Sequence, residues 1–256
     1  MNRNAYGAYH WLYSTCNARW EHKAYHQARI VVAASGTVRE ELKTLIGVPE
    51  ERLRVINNGA DTTEFYPLPE GETRDRASLK LPQGVVLGLF AGDLRTPRKN
   101  LDSVLKAMQT VPDLHLAVVG KLDNSPYPAM AEQLGLAARV HFLGFRKDIA
   151  SIMRAVDFFV FPSRYEACAL VLSEAAASGL PIITAHTTGG SEVVAPGAGI
   201  MVEDPNDVRA LCQSLRDIAQ VDIRTKMRTI ARRQAAQQSW EKIGKAYFDL
   251  YTEIAR

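Results

Sequence analysis

The chain has 256 residues and 46% hydrophobic content, enough for one large domain or two modest ones with a proper core. Lys plus Arg total 31 against 28 for Asp plus Glu, and a net charge of only +3 argues against a nucleic-acid partner. Cys16, Cys168 and Cys212 are scattered and without metal-type spacing, and no apolar run has the length of a leader or a membrane span, so reduced thiols in a soluble, cytoplasmic protein are expected.

In chain order, residues 1–16 show no clean period, and a helix is expected over 17–27. His22 and His26 lie one turn apart there without a third ligand, which reads as a solvated face. An apolar run at 30–35 ends in Ser35 and Gly36, a start signal for a helix over 37–46 that Gly47 and Pro49 stop. A second strand begins at Arg52 and ends at the turn residues Asn57, Asn58 and Gly59. From 61 to 83, Pro67, Pro69, Gly71 and Pro82 are interleaved with charges and no period survives, which predicts a linker.

Beyond it the pattern is regular. Short apolar runs at 85–91, 114–120, 140–143, 157–161, 180–184 and 199–202 alternate with helical stretches at 100–109, 128–134, 148–155 and 170–179. Such runs suit strands buried on both faces, and the alternation predicts an α/β fold with a doubly wound parallel sheet. The tail from 205 is helical, with breaks near Val221 and Ser239. His115 and His141, inside apolar runs, read as core histidines. Arg224, Arg228 and Arg232, at helical spacing, read as a solvated face, with acidic lipid headgroups as the alternative.

Three loops at the carboxyl ends of strands carry the candidate chemistry, because ligands of open parallel sheets bind at that edge. The first, GDLRTPRKN, runs from Gly92 and brings Arg95, Arg98 and Lys99 to a helix start, where anions are favoured. It lacks the Gly-Lys-Ser/Thr of an ATPase phosphate loop. The second, SRYEACALVLSEAAASGLP over 163–181, carries Glu166 into a helix of small and aliphatic residues that holds one acid, Glu174. A helix apolar on all faces is expected to be buried, and a carboxylate inside it needs a partner; the two acids suggest a polyhydroxylated ligand. The third, TTGGSEVV, is expected to leave the amides at Gly189 and Gly190 bare for a ligand, with Ser191 capping a helix. His186 sits in the same loop, and no His stands near Cys168 to make it a nucleophile.

These motifs, with HFLGF at 141–145 and INNGADTTEFYP at 56–67, resemble the retaining, nucleotide-sugar-dependent glycosyltransferases of the GT-B fold, the group numbered family four. The likeness runs through residues 28–256 in consistent order. It implies a Rossmann-like donor-binding lobe over 84–238, preceded by a remnant of the N-terminal acceptor lobe (1–57) and a linker (58–83). A C-terminal helix (239–256) is expected to cross back to that remnant.

The resemblance implies roles residue by residue. Arg98 and Lys99 hold the donor diphosphate and stabilise the departing nucleotide. Glu166 meets the transferred sugar and Glu174 the ribose. Phe145 and Arg146 present the edge that reads the base, and Thr188, Gly189 and Gly190 lie near the nucleotide. Gly92, Arg95, Ser163, Ala169 and Leu170 complete the donor set. No cofactor and no metal is implied.

The acceptor (a glycan, lipid or small molecule) is left open. So are a partner chain supplying the first lobe, a peripheral position at the inner membrane face, and a non-catalytic module that binds a nucleotide sugar. In the family's pattern glycines stand where Ala167 and Ala169 stand, and an arginine where Asp93 stands. The alanines are expected to narrow the approach to the phosphates, and Arg95 to compensate for Asp93.

Overall fold

The structure, a computed structural model, describes residues 3–255, with side chains from residue 13 onward. It begins with α1 (Arg3–Gln27), one continuous helix of 25 residues rather than a helix starting at 17. Its apolar residues follow no single stripe, so periodicity has nothing to register over its first half. There follow β1 (Val31–Ala33), α2 (Gly36–Glu41) and β2 (Leu53–Val55). Ser35 caps α2 by accepting from the Val38 amide at 3.2 Å. β1 and β2 pair in parallel over a small core of Val31, Ala33, Leu42, Val48 and Leu53. β2 is shorter than expected: after it, the segment around Asn57 to Asp61 is held by single hydrogen bonds rather than by a ladder.

The main sheet collects β3 (Val86–Ala91), β4 (Leu114–Val119), β5 (Val140–Gly144), β6 (Phe158–Phe161), β7 (Ile182–Ala185) and β8 (Gly199–Val202). All neighbours are parallel, in the order β5-β4-β3-β6-β7-β8. The chain moves outward from β3 through β4 to β5, then returns to the other side of β3 at β6. The order therefore reverses between β3 and β6, the place where doubly wound sheets open a crevice at their carboxyl edge.

Both faces of the sheet are covered, which explains why its strands read as continuous apolar runs. α3 (Leu101–Met108) buries Leu101, Val104, Leu105 and Met108 at one-face spacing and packs on α4 (Tyr127–Gln133). α5 (Ile149–Ala155) leads into β6, and α6 (Leu170–Ala177) follows it. α7 (Val208–Ala219), capped by Asp207, packs on α3, while α8 (Val221–Gln234) packs on α6. Between the layers Leu87, Leu89, Phe90, Phe158, Phe159 and Phe161 are almost fully enclosed. Gly88 is required there: a Cβ would come within 2.4 Å of the Phe158 ring. His115 and His141 stack across β4 and β5, half-buried, with Nδ1 and Nε2 3.1 Å apart.

The segment 61–83 forms no strand or α-helix, yet it is anchored to the main lobe. Phe65 and Leu81 join its core, and Arg76 is buried with bonds to Ala155 O, Val85 O and Asp157. The final helix, α9 (Trp240–Ala255), runs back to the small sheet, where Arg29 reaches Ile254 O and Arg54 reaches Glu253. Phe248 and Tyr251 on it are exposed, whereas Tyr247 is half-buried. No helix among the described residues is long and apolar enough to cross a membrane.

Candidate functional site at the β3–β6 crevice

The loops after β3, β6 and β7 meet at the carboxyl edge of the sheet. Each is tied to the next. Arg98 O accepts from Ser163 Oγ at 2.9 Å and from the Arg164 amide at 2.9 Å. Ser163 O in turn accepts from the hydroxyls of Thr187 at 2.8 Å and Thr188 at 3.2 Å. The chain thus builds a single rim from three separate segments.

Lys99 and Glu166 are the centre of that rim. Their side chains form an ion pair, 14% and 12% exposed, with Ser163 Oγ 3.2 Å from the same Glu166 oxygen. The Lys99 ammonium also lies 5.5 Å from the Phe161 ring centroid. Gly92 is packed between them: a Cβ there would stand 3.2 Å from the Phe161 ring and 3.6 Å from Lys99 Cγ. Arg98 is exposed, and its guanidinium has no hydrogen-bond or ion-pair partner among the described residues. Arg95 is engaged elsewhere. It grips Asp93 with two bonds, 2.8 and 3.0 Å, which pull that carboxyl down to about 2. The two charges cancel, which leaves Arg98 as the unpaired cation of these three, beside Lys99 in its pair with Glu166.

α6 starts beside this pair, with Ala169 at its N-cap and no side-chain cap. The Leu170 and Val171 amides have no partner among the described residues, whereas the Leu172 amide donates to Ala169 O at 2.9 Å, and an anion is favoured at such a helix start. The helix is less enclosed than its composition suggests: Leu170 in its first turn is 48% exposed. Glu174, one turn further, is half-buried, and its carboxylate has no hydrogen-bond or ion-pair partner among the described residues. Burial, reinforced by Glu64, raises its pKa above the ordinary value. Ala169 has φ −82°, open to any residue, so a glycine is not needed at that position.

Gly189 meets a different demand from the expected one. Its amide is not bare but donates to Glu166 O at 3.0 Å, and its carbonyl accepts from the Ala169 amide at 2.8 Å. A Cβ on Gly189 would fall 2.2 Å from Glu166 O. The glycine lets two loops touch. The Thr188 amide is likewise used, by Ala185 O, and only Gly190, with φ +88°, keeps an amide without a partner among the described residues. At the outer end of the edge, after β5, Phe145 is 65% exposed and Arg146 is paired with Asp148 at 2.7 Å.

Two arrangements were not foreseen from sequence. Arg164 binds Asp102 through two bonds, 2.9 and 2.8 Å, and reaches Asn206 at 2.7 Å, clamping the Lys99 loop to the Glu166 loop. Burial pushes Asp102 up, but the Arg164 bonds outweigh it and hold the carboxyl below its usual range. The second is contact with the N-terminal part. Ser35 Oγ donates to Ala167 O at 2.6 Å, the Gly36 amide to the Glu192 carboxylate, and Tyr165 to Glu41 at 3.1 Å. These three contacts join residues more than a hundred positions apart, a separation at which the sequence gives no sign of which residues will meet. Among the described residues no cluster of His, Cys, Asp or Glu could hold a metal ion.

Residues 71–238, more than half of the chain, match the family described as glycosyl transferases group 1, and residues 2–64 match glycosyltransferase family 4. The chain belongs to the group 1 glycosyl transferases. A D-inositol 3-phosphate glycosyltransferase of Corynebacterium kroppenstedtii is 32% identical over 223 residues, 80% of this chain and 49% of that protein. The chain spans about half the length of the curated relatives it matches. Among solved structures, sucrose-phosphate synthase from Thermosynechococcus elongatus superposes with a TM-score of 0.78 at 25% identity, over 91% of this chain and 60% of that one. Anabaena HepE in complex with UDP-glucose gives a TM-score of 0.77 at 25% identity, over 94% and 68%. The main lobe is the Rossmann-like sheet of a GT-B glycosyltransferase.

Proposed function

We propose that this group 1 glycosyl transferase chain binds a nucleoside-diphosphate sugar in the β3–β6 crevice and supplies the donor site for transfer to an acceptor, with retention of anomeric configuration. The observation that carries the reading is the Lys99–Glu166 pair beside the uncapped start of α6, at the sheet's switch point. That arrangement offers cations and amides to phosphates and carboxylates to hydroxyls, within one rim. Anabaena HepE, whose fold the chain shares, has been captured with UDP-glucose.

In this reading Arg98 and Lys99 face the diphosphate. As the bond to the anomeric carbon breaks, charge grows on the leaving phosphate oxygen, and fixed cations stabilise it without reorganising. Glu166 accepts a sugar hydroxyl while holding the Lys99 ammonium in place. Glu174, without a protein partner, accepts the ribose hydroxyls, and the backbone at Phe145 and Arg146 meets the base. No metal is needed in this scheme, so chelation with EDTA is expected to leave transfer unchanged.

The exposed Phe248 and Tyr251 on α9 favour one second reading, a nucleotide-sugar-binding module that works with a partner chain. Incubation with a panel of nucleoside-diphosphate sugars and acceptors, beginning with the D-inositol 3-phosphate for which the relatives are named, separates the two. Transfer, with the product anomer assigned by NMR, supports the enzyme. Tight donor binding without transfer supports the module, and no donor binding at all contradicts both.

A further inference from the structure

The ends of β3 and β6 opposite the donor crevice carry a second concentration of charge. A cleft of about 750 Å³ opens there between the connection at 68–74 and α8. Arg74, Arg76, Arg224, Arg228 and Arg232 all line it. The one buried carboxylate among them is Asp157; Glu70 and Glu72 are exposed at the rim.

Asp157 is fully occupied. One oxygen pairs with Arg74, and the other accepts from Arg76 at 2.8 Å and from the Leu87 amide at 2.8 Å. Arg224 lies 4.0 Å from the Asp157 carboxylate through Nε and gives bonds of 2.8 and 2.7 Å to Ile218 O and Ala219 O at the end of α7. Arg228 and Arg232 reach only backbone carbonyls, Arg228 to Val156 O at 3.2 Å and Asp157 O at 2.7 Å and Arg232 to Leu68 O at 2.6 Å, and neither has a carboxylate within ion-pair distance among the described residues. Both side chains line the cleft. The consequence for Arg228 is severe. Burial, together with repulsion from Arg74, Arg224 and Arg232, lowers its pKa to about 10.

An excess of half-buried guanidiniums over carboxylates is costly unless an anion joins them, and the planar fork of arginine suits phosphate oxygens. We infer that the cleft between 68–74 and α8 is a binding site for a phosphate group, held chiefly by Arg74, Arg228 and Arg232. The phosphate is either a free ion or small phosphate monoester, or the headgroup of a phosphorylated lipid. It would bridge the connection to α8 and so stabilise the native chain by mass action.

The test uses the chain with Arg98→Ala and Lys99→Ala, so that phosphate cannot report from the donor crevice. Inorganic phosphate is titrated calorimetrically into this chain with and without Arg228→Gln and Arg232→Gln. Saturable binding, weakened about tenfold or more by the second pair of substitutions, is expected for lost charge-assisted bonds. The melting temperature is expected to rise with phosphate and to level off only while the arginines are present. Should the Arg228 substitution prevent folding, Arg232→Gln alone is read, since among the described residues that side chain gives one hydrogen bond, to a carbonyl. Flotation with phosphatidylcholine vesicles, with and without phosphatidic acid, assigns the source: arginine-dependent flotation indicates a headgroup, and phosphate binding without flotation a free ion. No saturable phosphate binding, or equal affinity in a folded arginine variant, overturns the proposal.

Discussion

Lys99 and Glu166, 67 positions apart, share a nearly enclosed ion pair that joins the loop after β3 to the loop after β6. Neither is simply a ligand-binding group in waiting, because each fixes the other. Glu166→Gln is therefore expected to act twice, weakening contact with a sugar hydroxyl and releasing the Lys99 ammonium. Removing one partner of a buried pair leaves the other uncompensated, at a cost of about 3 kcal/mol or more in such sites. Steady-state kinetics should show kcat falling further than KM rises. A variant that changes KM alone would assign Glu166 to binding only.

Arg164→Ala tests whether the rim needs its clamp. The two bonds to Asp102 join partly buried partners, so a loss of about 1–2 kcal/mol of stability is expected after discounting for solvent. The loop carrying Arg98 and Lys99 should then exchange its amide hydrogens faster, and donor KM should rise. Unchanged exchange over residues 95–100 would show that the loop holds its place without Arg164.

Glu174→Gln should separate stability from function. The raised pKa means that the native carboxyl retains a proton that the unfolded chain has released. Stability is thus lost as pH climbs above the ordinary 4.5 toward the native value, and it stays reduced at neutral pH. The glutamine removes that penalty, so the free chain is expected to melt at a higher temperature at pH 7. Nucleotide affinity should fall at the same time, about tenfold for one charged hydrogen bond. A lower melting temperature would mean that Glu174 has a partner in the folded chain.

The His115–His141 stack supplies a second pH signature. Burial lowers both pKa values, so as pH falls through the ordinary range near 6.5 the unfolded chain gains protons before the native chain does. Stability is present above that range and is lost as pH falls through it. Denaturant unfolding at pH 7.5 and 5.5 should show the loss, and His141→Gln should flatten the slope. An identical slope in the variant would place the sensitivity elsewhere.

Much of this architecture could be read in the chain because parallel strands buried on both faces leave apolar runs such as 85–91 and 157–161, and because site loops follow them. The acids and cations of the crevice stood out for the same reason. What escaped reading depends on long-range pairing. The first half of α1 has no stripe, the Arg164–Asp102 clamp spans 62 positions, and Arg76 in a segment without period is buried against Asp157. Gly189 could be recognised as needed, but not why. Its hydrogen goes to Glu166 O, a partner that only the folded loops bring near.

The central claim is that the β3–β6 crevice binds a nucleoside-diphosphate sugar through Lys99. Calorimetric titration of a nucleoside-diphosphate sugar panel, UDP-glucose first, into the unaltered chain and into Lys99→Ala tests it most directly. One donor is expected to bind at a single site, and Lys99→Ala to lose about 10–100-fold in affinity, as for removal of a charge-assisted phosphate contact. Binding of equal strength in a folded Lys99→Ala chain, or no binding by any member of the panel, would contradict the account.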